Sequence, residues 1–276
     1  HSEWVTSVAH TASGDVISAG MDGKLCLWPR APSSPSPGEV APLAETSAHA
    51  GPVARVRAGT SGLVASCGYD GEVALWECGG SSGRGLRQAG RLGDGRSLPA
   101  PCLDFVWCGT GAGALLLTGH RDGRAGLWDL ETGSLLCVCD GGGGGAPPGE
   151  GGRRQQQPSS AAAGGTATAT ATVHSGHVSA VACLGAAGTS SGPVFATGGQ
   201  DGCVRLWDTR AGPAGPGARA AGAGAEACHR PLYSIPAHRG KAGGVGAVGG
   251  LLDLGGGRLA SYGADRRVCV LDLRRL

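Results

Sequence analysis

Five segments of this chain end on one pattern: Asp22-Gly-Lys-Leu-Cys-Leu-Trp28, Asp70-Gly-Glu-Val-Ala-Leu-Trp76, Asp122-Gly-Arg-Ala-Gly-Leu-Trp128, Asp201-Gly-Cys-Val-Arg-Leu-Trp207 and Asp265-Arg-Arg-Val-Cys-Val-Leu271. Four residues before each Asp stands a hydroxyl: Ser18, Ser66, Thr118, Thr197 or Ser261. Further upstream stands a His (His1, His49, His174, His238), with Leu98 at that place in the third copy. Seven residues after these positions come Val8, Val56, Phe105, Val181 and Val245. Units this short cannot bury their faces alone and must stack on neighbouring copies.

Within a copy the local chemistry is β. Val5–Ala9 and Val178–Ala182 alternate with period two, as half-buried strands do. Val16-Ile-Ser-Ala and Val194-Phe-Ala-Thr read as a second strand, and a third ends at the Trp. The intervening Asp-Gly is a hairpin signal and predicts a type I′ turn with positive φ at both central residues. A fourth, weaker strand precedes the next His, clearest at Leu135–Cys139 and Pro231–Ile235. Four short strands per unit, repeated, fit radial stacking.

On these residues the chain resembles the Trp-Asp (WD) repeat family, with Trp128-Asp129 and Trp207-Asp208 carrying the signature dipeptide. The resemblance implies an all-β β-propeller of four-stranded antiparallel blades. It also implies a hydrogen-bond chain in each blade, from the turn Asp to the His, the His to the hydroxyl and the hydroxyl to the Trp indole. The complete sets are His1-Ser18-Asp22-Trp28, His49-Ser66-Asp70-Trp76 and His174-Thr197-Asp201-Trp207. Pro29 and Glu77 replace the second residue of the dipeptide, Leu98 the third His and Leu271 the fifth Trp, so copies three and five are expected to be the weaker blades.

The repeats run over about 1–48, 49–97, 98–139, 174–210 and 238–276. Residues 140–172 and 211–228 are biased toward Gly, Ala, Thr, Gln and Pro, and cannot offset their ordering entropy by burial. They are expected to be disordered insertions between third and fourth strands, on the face away from the His and Asp turns. With His1 at the repeat's own His and no fourth strand after the fifth copy, the expectation is a piece of a larger ring of seven or eight blades.

Composition narrows function mostly by exclusion. The 23 basic and 21 acidic residues give a formal charge of +2 with no dense basic block, which argues against a nucleic-acid footprint. No apolar run reaches the length of a membrane span, so no membrane association is expected. Eleven Cys include no C-x-x-C, and most lie in strands as small apolar fillers; a reduced, intracellular protein of cytoplasm or nucleus is expected. The His, hydroxyl and Asp of each copy imitate a hydrolase triad, but several identical active sites in one chain make no sense. Gly79–Gly83 and Gly188–Gly192 match G-x-S-x-G with no helix to follow. No enzyme activity, cofactor, metal or small-molecule substrate is expected.

The remaining expectation is binding of other proteins, as peptide segments or subunits of a complex. By the family resemblance, the residue before each turn Asp and the residue three past each His lie around the channel mouth. Trp4, Tyr69, Arg121, His177, Gln200 and Lys241 are the candidates, since exposed aromatic and Arg residues anchor protein partners. A protein-interaction scaffold or adaptor follows. A finer alternative rests on Phe195–Arg210, which fits the box by which some WD proteins dock, as substrate receptors, on a cullin-type ubiquitin ligase adaptor. Asp208 and Arg210 would be its charged contacts.

Overall fold

A computed structural model describes residues 1–30, 41–59, 62–78, 85–93, 98, 100–108, 114–139, 174–184, 194–208, 227–228, 231–239 and 246–276. The first sheet holds β1 (Val5–His10), β2 (Val16–Gly20), β3 (Lys24–Trp28) and β4 (Ala44–Ser47). The second holds β5 (Val53–Ala58), β6 (Leu63–Gly68), β7 (Val73–Cys78) and β8 (Leu86–Leu92). The third contains β9 (Cys102–Cys108), β10 (Leu115–His120), β11 (Ala125–Asp129) and β12 (Leu135–Cys139). The fourth contains β13 (Val178–Leu184), β14 (Val194–Gly199) and β15 (Cys203–Asp208); β16 (Ala227–Cys228) instead joins the third sheet, and β17 (Tyr233–Pro236) completes the fourth. The fifth sheet is β18 (Val248–Gly255), β19 (Arg258–Gly263) and β20 (Val268–Asp272), ending in a single 3-10 turn at Leu273–Arg275. The strands of each repeat pair antiparallel in chain order; β16 alone adds in parallel, Cys137 opposite Ala227.

The sheets are blades stacked face on face. Ile17, Leu25 and Leu27 of blade one pack on Val53, Val56 and Trp76 of blade two. Cys67, Val73 and Leu75 of blade two meet Phe105, Leu116 and Trp128 of blade three. Leu117 and Leu127 of blade three meet Val178, Phe195 and Trp207 of blade four. Val204 and Leu206 of blade four meet Val248, Leu259 and Leu271 of blade five. Every joint thus sets the Trp face of one blade, or Leu271 in its place, on the opposite face of the blade before it. Burial of these side chains supplies the main stabilisation of each joint.

Three expectations are corrected. The hairpin between second and third strands is not type I′. Gly20 O accepts from Gly23 N at 3.3 Å, and only Gly23, Gly71, Gly123 and Gly202 have positive φ (73° to 89°) while the preceding Asp does not. This is a three-residue loop whose last residue is left-handed. It leaves the Asp free to turn its carboxylate inward. The same Gly also faces the next blade: a Cβ on Gly23 would lie 2.8 Å from His49 O.

Second, the insertion 140–172 follows β12 and precedes His174, so it joins two blades rather than the third and fourth strands of one. It therefore leaves from the end of the blade that carries the His and Asp turns. Its residues lie outside the described ones, as do 211–226; Ala227–Cys228, at the end of the second insertion, is strand. Third, the inner strand of blade five lies further along the chain than the spacing implied. Leu251, not Val245, sits opposite Ser261, as Val8 sits opposite Ser18.

Candidate protein-interaction face

In blade one, His1 Nδ1 lies 2.9 Å from Asp22 Oδ1, His1 Nε2 lies 2.8 Å from Ser18 Oγ, and Trp28 Nε1 donates to Ser18 Oγ at 2.8 Å. Blade two repeats this with His49–Asp70 at 3.0 Å, His49–Ser66 at 2.8 Å and Trp76–Ser66 at 2.9 Å. Blade four gives His174–Asp201 at 2.9 Å, His174–Thr197 at 2.8 Å and Trp207–Thr197 at 2.9 Å. Donor arithmetic sets the proton positions. An indole N–H can only donate, so the hydroxyl accepts from Trp and donates to His Nε2, and Nδ1–H donates to the carboxylate. A neutral imidazole satisfies every group.

The carboxylate does more than hold the ring. Asp22 accepts from the amides of Ser2 (2.9 Å) and Lys24 (3.2 Å), and Asp70 accepts likewise from Ala50 and Glu72. Asp201 and Asp265 repeat the pattern with Ser175 and Cys203, and with Arg239 and Arg267. One side chain thereby fixes the turn to the segment entering the blade. Burial raises the Asp201 and Asp265 carboxyls, but the bonds donated by His174 and Arg205, and by His238 and backbone amides, outweigh it. Both carboxyls end below the ordinary carboxylate value.

The remaining blades depart from the set in different ways. Blade five keeps His238–Asp265 (2.8 Å) and His238–Ser261 (2.9 Å) and has Leu271 where the indole would be. In blade three the ring is supplied from elsewhere. His120 Nε2 accepts from Thr118 Oγ1 at 2.9 Å, its Nδ1–H donates to Ala100 O at 2.9 Å, and Trp128 donates to Thr118 at 3.0 Å. Gly20, Gly68, Gly199 and Gly263 occupy the place of His120 in the other copies, each with the His ring within 2.8 Å of where a Cβ would sit. Asp122, left without a ring, accepts from the amide and side chain of Arg124. Burial lowers the His120 pKa and keeps that ring neutral. The signal was in the alignment of copies: the one copy without the upstream His is the one without this Gly.

Blade four adds a member that spacing did not reveal. Buried Arg205 donates to Asp201 Oδ2 at 2.8 Å and abuts the His174 ring. Burial lowers the His174 pKa, and Arg205 adds to this against the pull of Asp201. With the rings neutral, buried and hydrogen-bonded at both nitrogens, these sets hold blades together and offer no free base to a substrate.

The exposed side chains lie one residue away from them. Backbone bonds pair the residue before each turn Asp with the residue entering the inner strand: Met21 N to Trp4 O, Tyr69 N to Pro52 O, Arg121 N to Pro101 O, Gln200 N to His177 O and Ala264 N to Ala247 O, all at 2.8–2.9 Å. Trp4 is 82% exposed, Tyr69 45% and Met21 38%; Arg121 and Gln200 are exposed and His177 is half-buried. The structure therefore places these residues at two repeat positions bonded to each other on one face: Trp4 and His177 entering the inner strand, and Tyr69, Arg121 and Gln200 before the turn Asp. In blade five the equivalent of Trp4 is Ala247, and Lys241 lies outside the described residues. Asp208 ends β15 half-buried, and Arg210 is also outside the described residues.

Stacked antiparallel blades, each pinned through a buried ring and a hydroxyl, define a repeat protein built from β-propeller blades. The family model for the WD domain, G-beta repeat, matches residues 1–29 and 167–208, so the first and fourth copies are WD repeats. No curated protein sequence matches the chain significantly. WD repeats support a protein-interaction scaffold role in general, and the family is in general non-enzymatic.

Proposed function

We propose that this chain is a scaffold that takes a peptide or protein segment on the face carrying its His and Asp turns. The observation that carries this is Trp4, a large aromatic exposed over 82% of its surface although its carbonyl is bonded to Met21 N. An exposed indole held by its backbone, with Tyr69 and Arg121 before the turn Asp of the next two blades, supplies the residue types that dominate binding energy in protein interfaces. Gln200 and His177 extend the rim with hydrogen-bonding groups. The test is quantitative affinity capture with wild-type chain and a Trp4→Ala/Tyr69→Ala/Arg121→Ala variant of matched thermal stability. Each truncation of a central anchor is expected to cost about 1–3 kcal/mol of binding. The variant should therefore lose partners that the wild type retains; identical capture profiles overturn the assignment to this face.

A further inference from the structure

The inner strands of blades two, three and five line a cavity of about 330 Å³, to which Trp4, Tyr69 and Arg121 contribute nothing. On one side stand Arg55 and Arg57 of β5, with Asp104 of β9. On the other stand residues 249–252 of β18, together with Tyr262 and Val268.

The Arg side is charged and only partly paired. Asp104 takes one N–H from each guanidinium, Arg55 Nε at 3.1 Å and Arg57 Nη2 at 2.8 Å. Among the described residues, Arg57 Nε is buried without a partner and the Nη groups of Arg55 accept none. Two guanidiniums against one carboxylate leave a net charge of +1. Both Arg side chains are more than a third exposed, while Asp104 is buried.

The opposite wall is apolar. The Tyr262 ring rests on the backbone of Gly249 and Gly250, where a Cβ on either residue would collide with it. Leu252, Tyr262 and Val268 are all exposed. This wall also carries a free strand edge. Among the described residues β19 is the one strand partner of β18, so the N–H and C=O groups along its other edge have no strand to pair with.

We propose that this cavity binds an extended peptide carrying a Glu or Asp beside an apolar residue. The edge of β18 takes the peptide main chain as an added strand. The Nη groups of Arg55 and Arg57 take the carboxylate through charge-assisted hydrogen bonds. The Tyr262 ring, with Leu252 and Val268, takes the apolar side chain. A carboxylate suits the site better than a phosphate dianion, because its single charge matches the net +1 and a second would be repelled by Asp104. A peptide suits it better than a small anion, because only a peptide uses the strand edge. The site shares no residue with the rim that carries Trp4, so each can be tested without the other.

The test is fluorescence polarisation of the full chain with two pools of labelled, capped nonapeptides, random except for a central Leu-Glu-Leu or Leu-Gln-Leu. At low ionic strength the Glu pool is expected to bind about tenfold tighter than the Gln pool, the weight of one hydrogen bond to a charged group. That advantage should shrink as salt is added. Arg55→Gln leaves Asp104 bonded to Arg57 and to Val181 N, and should bring the pools to within about threefold of each other. Arg57→Gln, with Arg55 still on Asp104, should do the same, so loss of the fold in one variant leaves the other to decide. Tyr262→Ala should weaken both pools alike and keep their ratio. Equal binding of the two pools by the wild type overturns the proposal. So does a Glu advantage that survives both Arg changes, or one that is lost instead in the Trp4→Ala/Tyr69→Ala/Arg121→Ala variant. Displacement by N-acetylglutamate amide as effective as by the unlabelled Glu pool overturns it too, since a small anion would then suffice.

Discussion

Leu98 and His120 act as one exchange within blade three. Leu98 stands where the other blades have their ring, is almost fully buried, and lies close enough to Gly126 that a Cβ there would clash with its Cδ1. His120 fills the ring's place from two residues beyond Thr118. His120→Gly should destabilise the chain by about 2–4 kcal/mol, since it opens a cavity and leaves the Thr118 hydroxyl only Gly126 O, at 3.1 Å, as acceptor. Leu98→His alone should cost about 1–3 kcal/mol, because two rings compete for one site. The double change rebuilds the arrangement of the other blades, frees Asp122 to accept from the new ring, and should come back to within about 1 kcal/mol of wild type. Urea unfolding of the four proteins measures this; a double variant no better than the worse single one contradicts it. Both anomalies were legible in the copies as written. Their connection was not, because it depends on how closely a ring packs on the backbone of another strand, which spacing does not express.

Elements were legible where one period governs them and illegible where the chain between them changes length. The second strands before the Asp-Gly turns sit where the repeat pattern implied, but are buried on both faces because each lies between neighbouring strands and blades. The inner strand of blade five moved to Val248–Gly255 because pairing with β19 outweighs a fixed count from His238. The turn type was misread for a similar reason. A type I′ turn would turn the Asp away from His, and the hydrogen bonds gained by its carboxylate decide for the longer loop. That loop makes a demand on blade five, where Arg266 holds φ at 66° in the place of Gly23, Gly71, Gly123 and Gly202; it is the one non-Gly described residue with positive φ. Left-handed backbone costs a side-chain-bearing residue about 1 kcal/mol, partly offset by the greater freedom of glycine in the unfolded chain. Arg266→Gly should therefore stabilise the chain by about 0.5–1 kcal/mol, read as a higher urea midpoint at unchanged slope. An unchanged or lower midpoint counts against the strain.

At the scale of the whole molecule, polar groups tie blades that apolar packing merely apposes. Asp104 on β9 is buried and accepts from Arg55 Nε (3.1 Å) and Arg57 Nη2 (2.8 Å) of blade two and from Val181 N (3.2 Å) of blade four. Asp104→Ala leaves that amide unpaired and should cost about 1–3 kcal/mol. Asp104→Asn, which keeps an acceptor, should cost less; equal losses from the two changes in urea unfolding contradict the role given to Val181 N. The buried rings give the stack a pH dependence whose sign is set by their neutral state. His120 and His174 have folded pKa values below the ordinary 6.5, from burial in both and from Arg205 at the second. Below about pH 6.5 the unfolded chain binds protons that the folded rings refuse, so stability falls with pH in that range and is fully present above it. Asp201, whose folded pKa is depressed from 3.8, contributes in a separate window: its share is present above about pH 4 and is lost as pH falls further. Urea midpoints at constant ionic strength should therefore decline from pH 7.5 to pH 5.5, above the window in which Asp201 takes up a proton. A midpoint that is flat or rises over that range would mean that the rings carry their protons in the folded state, and that the hydrogen-bond directions assigned from Trp through hydroxyl to His and Asp are wrong.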